Sequence, residues 1–323
     1  MASKAHQENT GKVHIDDFPG GVETFEICIK FCYGIKITVN AYNVVAVRCG
    51  AEYLEMNEVY EKGNLVSKVE SFLNSYIFHG WKDSIIALKS ARTLAPWPEE
   101  LQVVSRCINS IVSKAVVNPS KVDWSFTQTR VIVRNGKEHD NSEISTHSPP
   151  WNNGKQTHHV DAHWWIEDIA ELEIDMYSDV IVAIKASDRM PPRLIGEAIE
   201  FYSQKWLPML GKEHHLDEIV KENKECNGSF SREHQLLERI ICLLPGEKGC
   251  MSCNFLLRML KIARFLGVSN QSMNEIIRRV GLQLEEASVC DLLIPCFSDR
   301  TTSLYDVDLV QSIVEEFAMQ DQR

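Results

Sequence analysis

Two cysteines near the start of the chain have a spacing that could support chemistry. Cys28 and Cys32 lie four residues apart in "DDFPGGVETFEICIKFCYG", residues 16–34, so on a helix their thiols would share a face and could hold a metal ion. Phe25, Ile29 and Phe31 surround them, and no second pair at zinc-site spacing lies nearby in the sequence. We therefore predict that both cysteines pack into a hydrophobic core and anchor the helix.

A second cysteine pair forms a C-x-x-C sequence, Cys250 and Cys253 in "GCMSCNF". In redox proteins the first thiol of such a pair begins a helix, where the helix dipole lowers its pKa. No β-α-β pattern surrounds this pair, and Cys253 shares a helix face with Leu256, Leu257 and Leu260. A structural role is favoured, with redox or zinc chemistry as the alternative.

The third candidate is the histidine cluster in "THHVDAHWW", which contains His158, His159, Asp161 and His163. His159 and His163 have the i, i+4 spacing of a helical ligand pair, and Asp161 could add an oxygen. The glutamate of an H-E-x-x-H metalloprotease is absent, so we expect adventitious nickel or zinc affinity rather than a functional site. No phosphate loop, nucleophile elbow or paired carboxylates stand out, so we predict no catalytic residue, metal, cofactor or enzymatic activity.

The amino-acid composition excludes several classes of protein. The chain has 323 residues, of which 44% are hydrophobic and 24% charged, as in an ordinary globular protein. Its formal net charge of -11 argues against nucleic-acid binding, which needs a concentrated basic face. No stretch reaches the roughly 18 consecutive apolar residues of a membrane span, and "MASKAHQENTGK" lacks the apolar core of a secretory signal. With ten cysteines spread along the chain, we expect a reduced, cytoplasmic protein.

The sequence around the candidate residues of the first half of the chain has mainly helical periodicity. A breaker at residues 19–21 precedes a helix that should end at Gly34, and a short β-like stretch leads to a helix from about Asn40. That helix places Val44, Val47, Ala51 and Leu54 on one face. Further helices are predicted near residues 65–76 and 81–88, and another begins at Pro98, a residue that suits a first turn.

The pattern dissolves between about residues 134 and 163, which predicts a flexible linker. Helical spacing then resumes and continues without a fixed repeat, which favours an all-α second domain. Three later helix starts have reciprocal capping signatures: Ser272 with Glu275, Ser288 with Asp291, and Ser303 with Asp306.

Several long segments, taken together, resemble one known family. "HIDDFPGGVETFEICIKFCYG", "AVRCGAEYLEM" and "GNLVSKVESFLN" resemble the second half of a plant BTB/POZ domain. "WWIEDIAELEIDMYSDVIVAIKA", "LLPGEKGCMSCNFLLRMLKIA" and "LYDVDLVQSIVEEF" are similar to the C-terminal domain of the non-phototropic-hypocotyl/root-phototropism family of phototropic-response proteins. The resemblance implies a mainly α fold with these parts: a polar tail at 1–12, a partial BTB/POZ domain at 13–79, a helical extension at 80–130, a flexible linker at 131–163 and an all-α family-specific domain at 164–323.

The resemblance also implies a function. Members of this family are regarded as substrate-specific adaptors of a cullin-3 ubiquitin ligase, in which the BTB domain holds the cullin and the remainder engages a client or a receptor kinase. In BTB ligases the tyrosine of the "F-x-Y-G"-like helix end lies at the cullin surface, and Tyr33 is the matching position, unless it simply packs at the helix end. The implied partners are a cullin-3-type scaffold, a client protein, a phototropin-like receptor kinase and BTB relatives in homo- or hetero-oligomers, with the protein in the cytoplasm or at the inner face of the plasma membrane.

The chain departs from the family pattern at both ends. The family's BTB domain begins well before "HIDDFPGG", and its C-terminal domain runs past "LYDVDLVQSIVEEF", so we expect both to be incomplete here, with weakened cullin binding, altered dimerisation or poor solubility. The alternative function is a non-ligase signalling scaffold, or a competitor of full-length relatives, bound to a membrane receptor kinase. Phosphorylation in the linker, at Ser142, Ser145, Thr146 or Ser148, could tune it.

Overall fold

The structure is a computed structural model of the chain. It describes residues 6–7, 13–15, 17–123, 130–132, 163–207, 231–296 and 304–320. The chain divides into two compact units, a first unit of Met1–Asp161 and a second unit of Ala162–Arg323. The described part of each is mainly α-helical, which confirms the predicted fold class.

Several sequence predictions fall outside the described residues. They include most of the polar tail and of the linker, the candidate ligands His158, His159 and Asp161, and the four candidate phosphorylation sites. Residues 131–132, at the start of the predicted linker, are described and belong to a short strand.

The first unit combines helices with short antiparallel strands in its described part. Strand β1 pairs with β2, and β3 pairs with β4 in a register that sets Ile37 opposite Ile132. A π-helical turn, Leu73–Ile77, continues the third helix. The elements are β1 His6–Gln7, β2 Val13–His14, α1 Gly21–Cys32, β3 Ile37–Val39, α2 Val44–Tyr53, α3 Leu65–Phe72, α4 Trp81–Ala91, α5 Trp97–Glu100, α6 Val103–Ala115 and β4 Arg130–Ile132.

Helix α2 lies at the centre of the first unit and packs against α1, α3, α4 and α5. Its predicted apolar face is buried at Val44, Val47 and Ala51, whereas Leu54 is only half-buried beyond the helix end. The helix begins at Val44 rather than near Asn40, because the Asn40 side chain accepts a hydrogen bond from the Tyr42 N–H at 2.9 Å and closes a turn there.

The helix predicted from Pro98 onward is divided in two. Helix α5 ends at Glu100, and Gln102 adopts a left-handed backbone conformation with φ of 58° before α6 begins at Val103. That conformation cannot continue an α-helix, so the prediction of one helix was wrong at this position.

The end of the π-helical turn is held by a buried polar network. Ser84 Oγ donates to Gly80 O at 2.8 Å and lies 2.7 Å from Ser110 Oγ. Lys114 Nζ donates to Phe78 O at 2.6 Å, and partial burial lowers the pKa of this lysine. These side chains on α4 and α6 satisfy carbonyl groups that the turn leaves without helical partners.

In its described part, the second unit consists of helices joined by turns and loops, with an isolated bridge between Pro295 and Tyr305. Its central helix, Ser231–Leu243, packs against four others. Within the core, the rings of Tyr177 and Tyr202 stack with centroids 3.8 Å apart, and Tyr202 OH donates to Leu172 O at 3.2 Å. The helices are α7 Ile166–Ile169, α8 Ile174–Ala186, α9 Pro192–Trp206, α10 Ser231–Leu243, α11 Cys253–Leu266, α12 Asn270–Gly281 and α13 Val307–Gln320.

The predicted capping pairs have different outcomes. Ser288 and Asp291 do exchange hydrogen bonds, with Ser288 Oγ donating to Asp291 Oδ2 at 2.6 Å, but they close a turn rather than begin a helix. The prediction for Ser272 was wrong, because α12 begins earlier and Ser269 accepts from the Ser272 N–H at 3.2 Å. Ser303 lies outside the described residues.

Within the part of the chain that the structure describes, none of the helices combines the length and apolar character needed to cross a membrane.

Candidate protein-binding surface

Tyr33 lies at the end of α1 with its side chain directed to solvent. The residue is 79% exposed, and among the described residues its side chain makes no hydrogen bond. The alternative that Tyr33 packs at the helix end is therefore wrong. Ile35 and Lys36, which follow, are also exposed. We call Tyr33, Ile35 and Lys36 the helix-end surface.

Main-chain hydrogen bonds fix the backbone of this surface. The Gly34 N–H donates to Phe31 O at 3.0 Å, and the Ile35 N–H donates to Lys30 O at 2.9 Å. This pair of bonds is a Schellman motif, which needs a left-handed residue after the helix, and Gly34 has φ of +70°. The predicted stop at Gly34 is confirmed, and the motif directs the chain so that Tyr33 faces outward.

The two cysteines of α1 have different environments. Cys28 is fully buried, and burial raises the pKa of its thiol to about 12. It therefore anchors α1 as predicted. Cys32 is exposed, so the prediction that both cysteines pack was wrong for the second one. Cys32 is the last residue of α1 and is not covered by the side chains that bury Cys28.

Four aromatic rings form a row of contacts between α1, α2 and α5. Phe18 contacts Phe25 of α1 edge to face, with centroids 5.3 Å apart, and contacts Tyr53 of α2 at 5.2 Å. Tyr53 in turn contacts Trp97 of α5 at 5.9 Å. Edge-to-face pairs of this kind are worth about 0.5–1.5 kcal/mol beyond the area they bury. The row ties the N-terminal half of α1 to α2 and α5.

An ionic cluster joins α2, α3 and α6. Glu70 accepts from Arg48 Nε at 2.7 Å and from Arg106 Nη2 at 2.8 Å, and Arg48 also pairs with Glu52 at 2.8 Å. Partial burial alone would raise the pKa of Glu70, but the hydrogen bonds from Arg106 and Arg48 outweigh it, and the net pKa is lowered. Because Arg48 is almost completely buried, this cluster is a fixed part of the first unit.

Other exposed side chains of the first unit were not found from the sequence. Tyr42 follows β3 in a turn closed by Asn40 and Asn43. Val59 and Tyr60 are exposed in the loop after α2, where Tyr60 OH donates to Glu55 at 2.8 Å. All three stand in turns, where no periodic pattern separates an exposed aromatic residue from a buried one.

The C-x-x-C pair of the second unit has the properties of a core pair. Cys250 and Cys253 are both buried, and Cys253 shares its face with leucines of α11, as predicted. Burial raises the pKa of both thiols, that of Cys253 to about 11. A redox pair needs a lowered pKa, so the environment does not favour a reactive thiolate.

Of the histidine cluster, only His163 is described. Its Nδ1 lies 2.8 Å from Glu197 Oε2, and Arg193 Nε lies 3.2 Å from the other oxygen of the same carboxylate. Over the described ranges, no group of three or more His, Cys, Asp or Glu side chains is arranged to hold a metal ion.

The fold and surface define a mainly α-helical protein in two units that presents a tyrosine at a capped helix end. Comparisons with known proteins identify the family. Residues 163–323 match the NPH3 family. A BTB/POZ domain-containing protein of Arabidopsis thaliana is 46% identical over 96% of this chain and 47% of its own length. The phototropic-responsive NPH3 family protein NPY1 of the same plant is 40% identical over 100% of this chain and 52% of its own length. Root phototropism protein 3, also from Arabidopsis thaliana, is 34% identical over 95% of this chain and 49% of its own length.

The chain belongs to the NPH3 family of phototropic-response BTB/POZ proteins. It spans about half the length of the curated relatives it matches. No solved structure matches it.

Proposed function

We propose that this protein is a non-catalytic adaptor of a cullin-3-type ubiquitin ligase in plant light or related signalling. In this function the first unit binds the cullin, the second unit binds a client protein or a phototropin-like receptor kinase, and ubiquitin transfer is carried out by other subunits. The proposed place of action is the cytoplasm, including the inner face of the plasma membrane where such a kinase is found. Pairing with BTB relatives is part of the same proposal.

The observation that carries the proposal is the exposure of Tyr33 in a chain of this family. Burying a tyrosine of this size in an interface contributes much of the binding energy in many complexes. A ring that is 79% exposed at a fixed helix end is available for such burial. Ile35 beside it adds apolar area, and Lys36 adds a cation at the rim of the surface.

The experiment is a co-purification of the full chain with the N-terminal half of a plant cullin-3, followed by light scattering. We expect a stoichiometric complex, and Tyr33→Ser should weaken it by about tenfold or more, since a central aromatic anchor is worth at least about 1.4 kcal/mol. The matched control is Tyr60→Ser, which removes an exposed tyrosine from a loop of the same unit and should leave the affinity unchanged.

Three outcomes decide between the candidate functions. A complex that is lost with Tyr33→Ser and kept with Tyr60→Ser supports the adaptor and its surface. A complex that survives both changes supports the adaptor but overturns the role of Tyr33. A folded chain that forms no complex overturns the adaptor and favours the signalling scaffold or the competitor of longer relatives.

A further inference from the structure

Ser288 lies in an exposed turn of the second unit and has acidic residues on both sides of it in the sequence. The turn, residues 288–291, follows a short 3-10 helix, Leu284–Glu286, and precedes the segment that leads to α13. Ser288 is exposed, and Val289 beside it is 79% exposed. The 3-10 helix contributes two glutamates before the serine, and Asp291 follows it at the third position. We call residues 288–291 the Ser288 turn.

An acidic residue three positions after a serine is the spacing that acidophilic serine kinases recognise through their own basic side chains. In the part of the chain that the structure describes, this spacing occurs at Ser67, Ser120, Ser272, Ser288 and Ser312. Ser67, Ser272 and Ser312 lie inside α3, α12 and α13, where the backbone must leave its hydrogen bonds before it can enter an active site. Ser120 and Ser288 are both exposed and lie outside the α-helices.

The neighbouring residues distinguish Ser288 from Ser120. Glu285 and Glu286 lie three and two positions before Ser288, whereas no acidic residue lies within three positions before Ser120, and Lys121 follows it directly. An enzyme that binds its substrate through basic groups is attracted to the first sequence and is repelled by the lysine in the second. The main-chain hydrogen bonds from residues 291–294 reach back only two or three positions, so the Ser288 turn can open locally without unwinding a helix.

The Ser288 hydroxyl is a donor that holds the turn closed. Its Oγ donates to Asp291 Oδ2 at 2.6 Å, and the Asp291 N–H donates back to Ser288 Oγ at 3.3 Å. The bond from the hydroxyl lowers the pKa of the Asp291 carboxyl, and the nearby charges of Lys261 and Arg258 lower it further, so this carboxylate is ionised at neutral pH. Asp291 Oδ1 accepts from Asn254 Nδ2 at 3.2 Å, so the same carboxylate ties the turn to α11.

We propose that Ser288 is phosphorylated by an acidophilic serine kinase and that the phosphate opens the Ser288 turn. In the reaction Ser288 Oγ bonds to the γ-phosphorus of ATP, the bond from that phosphorus to the β–γ bridging oxygen breaks, ADP leaves, and the hydroxyl proton passes to a base of the kinase. The product has no hydroxyl hydrogen to donate to Asp291, and it carries about two negative charges beside that carboxylate. Repulsion between the two groups separates Ser288 from Asp291. Phosphorylation of this turn is independent of the adaptor function, because it does not involve Tyr33.

The first experiment treats the full native chain with casein kinase 2, an acidophilic enzyme, and ATP, and locates the phosphate by mass spectrometry of the peptides. We expect Ser288 to be modified at least about tenfold faster than Ser120, because acidic residues flank only the former on both sides. Ser288→Ala should lose this phosphate, and circular dichroism checks that the variant is folded. Modification of Ser120 as fast as Ser288 would contradict the selection by flanking acids.

Two variants at Asp291 test how the site is recognised. Asp291→Asn removes the charge at the third position and should slow the modification of Ser288 by about tenfold, whereas Asp291→Glu retains the charge and should be modified nearly as fast as the parent. Both changes disturb the hydrogen bonds of the turn, so the difference between them reports the charge. Equal rates for the two variants, or phosphate on Ser288 only after the chain is denatured, would overturn the site.

Hydrogen–deuterium exchange measures what the phosphate does to the turn. The Ser288 N–H donates to Asp291 Oδ2 at 3.1 Å, so opening of the turn releases this amide together with that of Asp291. In the phosphorylated chain, peptides covering residues 288–294 should exchange about tenfold faster, and peptides of α6 should be unchanged. Ser303, which lies outside the described residues and has Asp306 three positions later, is replaced by alanine in every sample. Unchanged exchange at residues 288–294 would show that the closed turn accommodates the phosphate and would overturn the opening.

Discussion

Arg279 donates a hydrogen bond from Nη2 to the carbonyl oxygen of Leu244 at 2.8 Å, across the gap between two helices of the second unit. Its Nε donates to Pro245 O at 2.9 Å. Both carbonyls lie just past the end of α10, where a helix has no internal donors for them and carries negative partial charge. Lys185 of α8 binds the carbonyl of Leu243 at the same end. Lys185 of α8 and Arg279 of α12 therefore cap the C-terminal end of α10.

Replacing Arg279 should destabilise the second unit strongly. Arg279→Met leaves two carbonyl groups without their donor in a buried place, and we expect a loss of about 3 kcal/mol in the free energy of unfolding. Arg278→Met is the control: Arg278 is half-exposed and pairs with Glu275 at 2.9 Å, so a loss of about 0.5 kcal/mol is expected. Denaturant unfolding followed by circular dichroism measures both. Equal losses would contradict the assigned role of Arg279.

The Glu70 cluster predicts a pH dependence for the first unit. The pKa of Glu70 is lowered from 4.5 in the folded state, so its contribution to stability is present above that value and is lost as the pH falls through the folded pKa. Glu70→Gln should reduce the protection of α3 and α6 in hydrogen–deuterium exchange at neutral pH, by about 1–2 kcal/mol. Below the folded pKa the variant and the parent should converge.

The control for that prediction is Glu26→Gln. Glu26 pairs with Lys30 at 2.6 Å on the exposed side of α1, where an ion pair is worth little. No measurable loss of protection is expected. If Glu26→Gln and Glu70→Gln had the same effect at every pH, the buried cluster would not be the source of the pH dependence.

Close packing at Gly281 makes that position sensitive to a single methyl group. Gly281→Ala would bring a Cβ within 2.7 Å of Glu316 Cβ, so α13 must move away from α12. Overpacking of this kind costs about 1–3 kcal/mol. Gly246→Ala places its methyl in open space and should be nearly neutral. A thermal unfolding curve unchanged by Gly281→Ala would show that α13 is held less firmly than the packing indicates.

The cysteines should differ in their rates of alkylation. Burial raises the pKa of Cys49 and Cys107 to about 12, and neither is exposed. Cys242 and Cys290 are exposed on the second unit. In native protein at mildly alkaline pH, iodoacetamide should modify Cys242 and Cys290, like the exposed Cys32, before Cys49 and Cys107, which should react only after denaturation. Mass spectrometry of the labelled peptides measures this, and early modification of Cys107 would contradict the packing of α6.

Features set by neighbours in sequence could be predicted, and features set by distant contacts could not. The end of α1 followed from Gly34, because the left-handed position of a Schellman motif has a strong preference for glycine. The buried face of α2 followed from apolar spacing. Cys32 was missed because periodicity places it on the same face as Cys28 but does not show where the covering layer ends.

The errors at Gln102 and Ser272 have different origins. Glutamine has no particular tendency to break a helix, so the left-handed turn between α5 and α6 left no signal. Serine is a residue type that often caps a helix, but the Ser272 hydroxyl donates a hydrogen bond to Glu238 of α10, 34 positions away in sequence.

The capped end of α1 makes the backbone shape there independent of the side chain at position 33. Because the backbone around Tyr33 is fixed by bonds to Ile29, Phe31 and Lys30 and the ring contributes little to packing, the side chain at this position can be exchanged with little cost to folding. The position is therefore suited to engineering. A library of residues at 33 and 35 would show which side chains the partner of the proposed adaptor accepts on an unchanged scaffold.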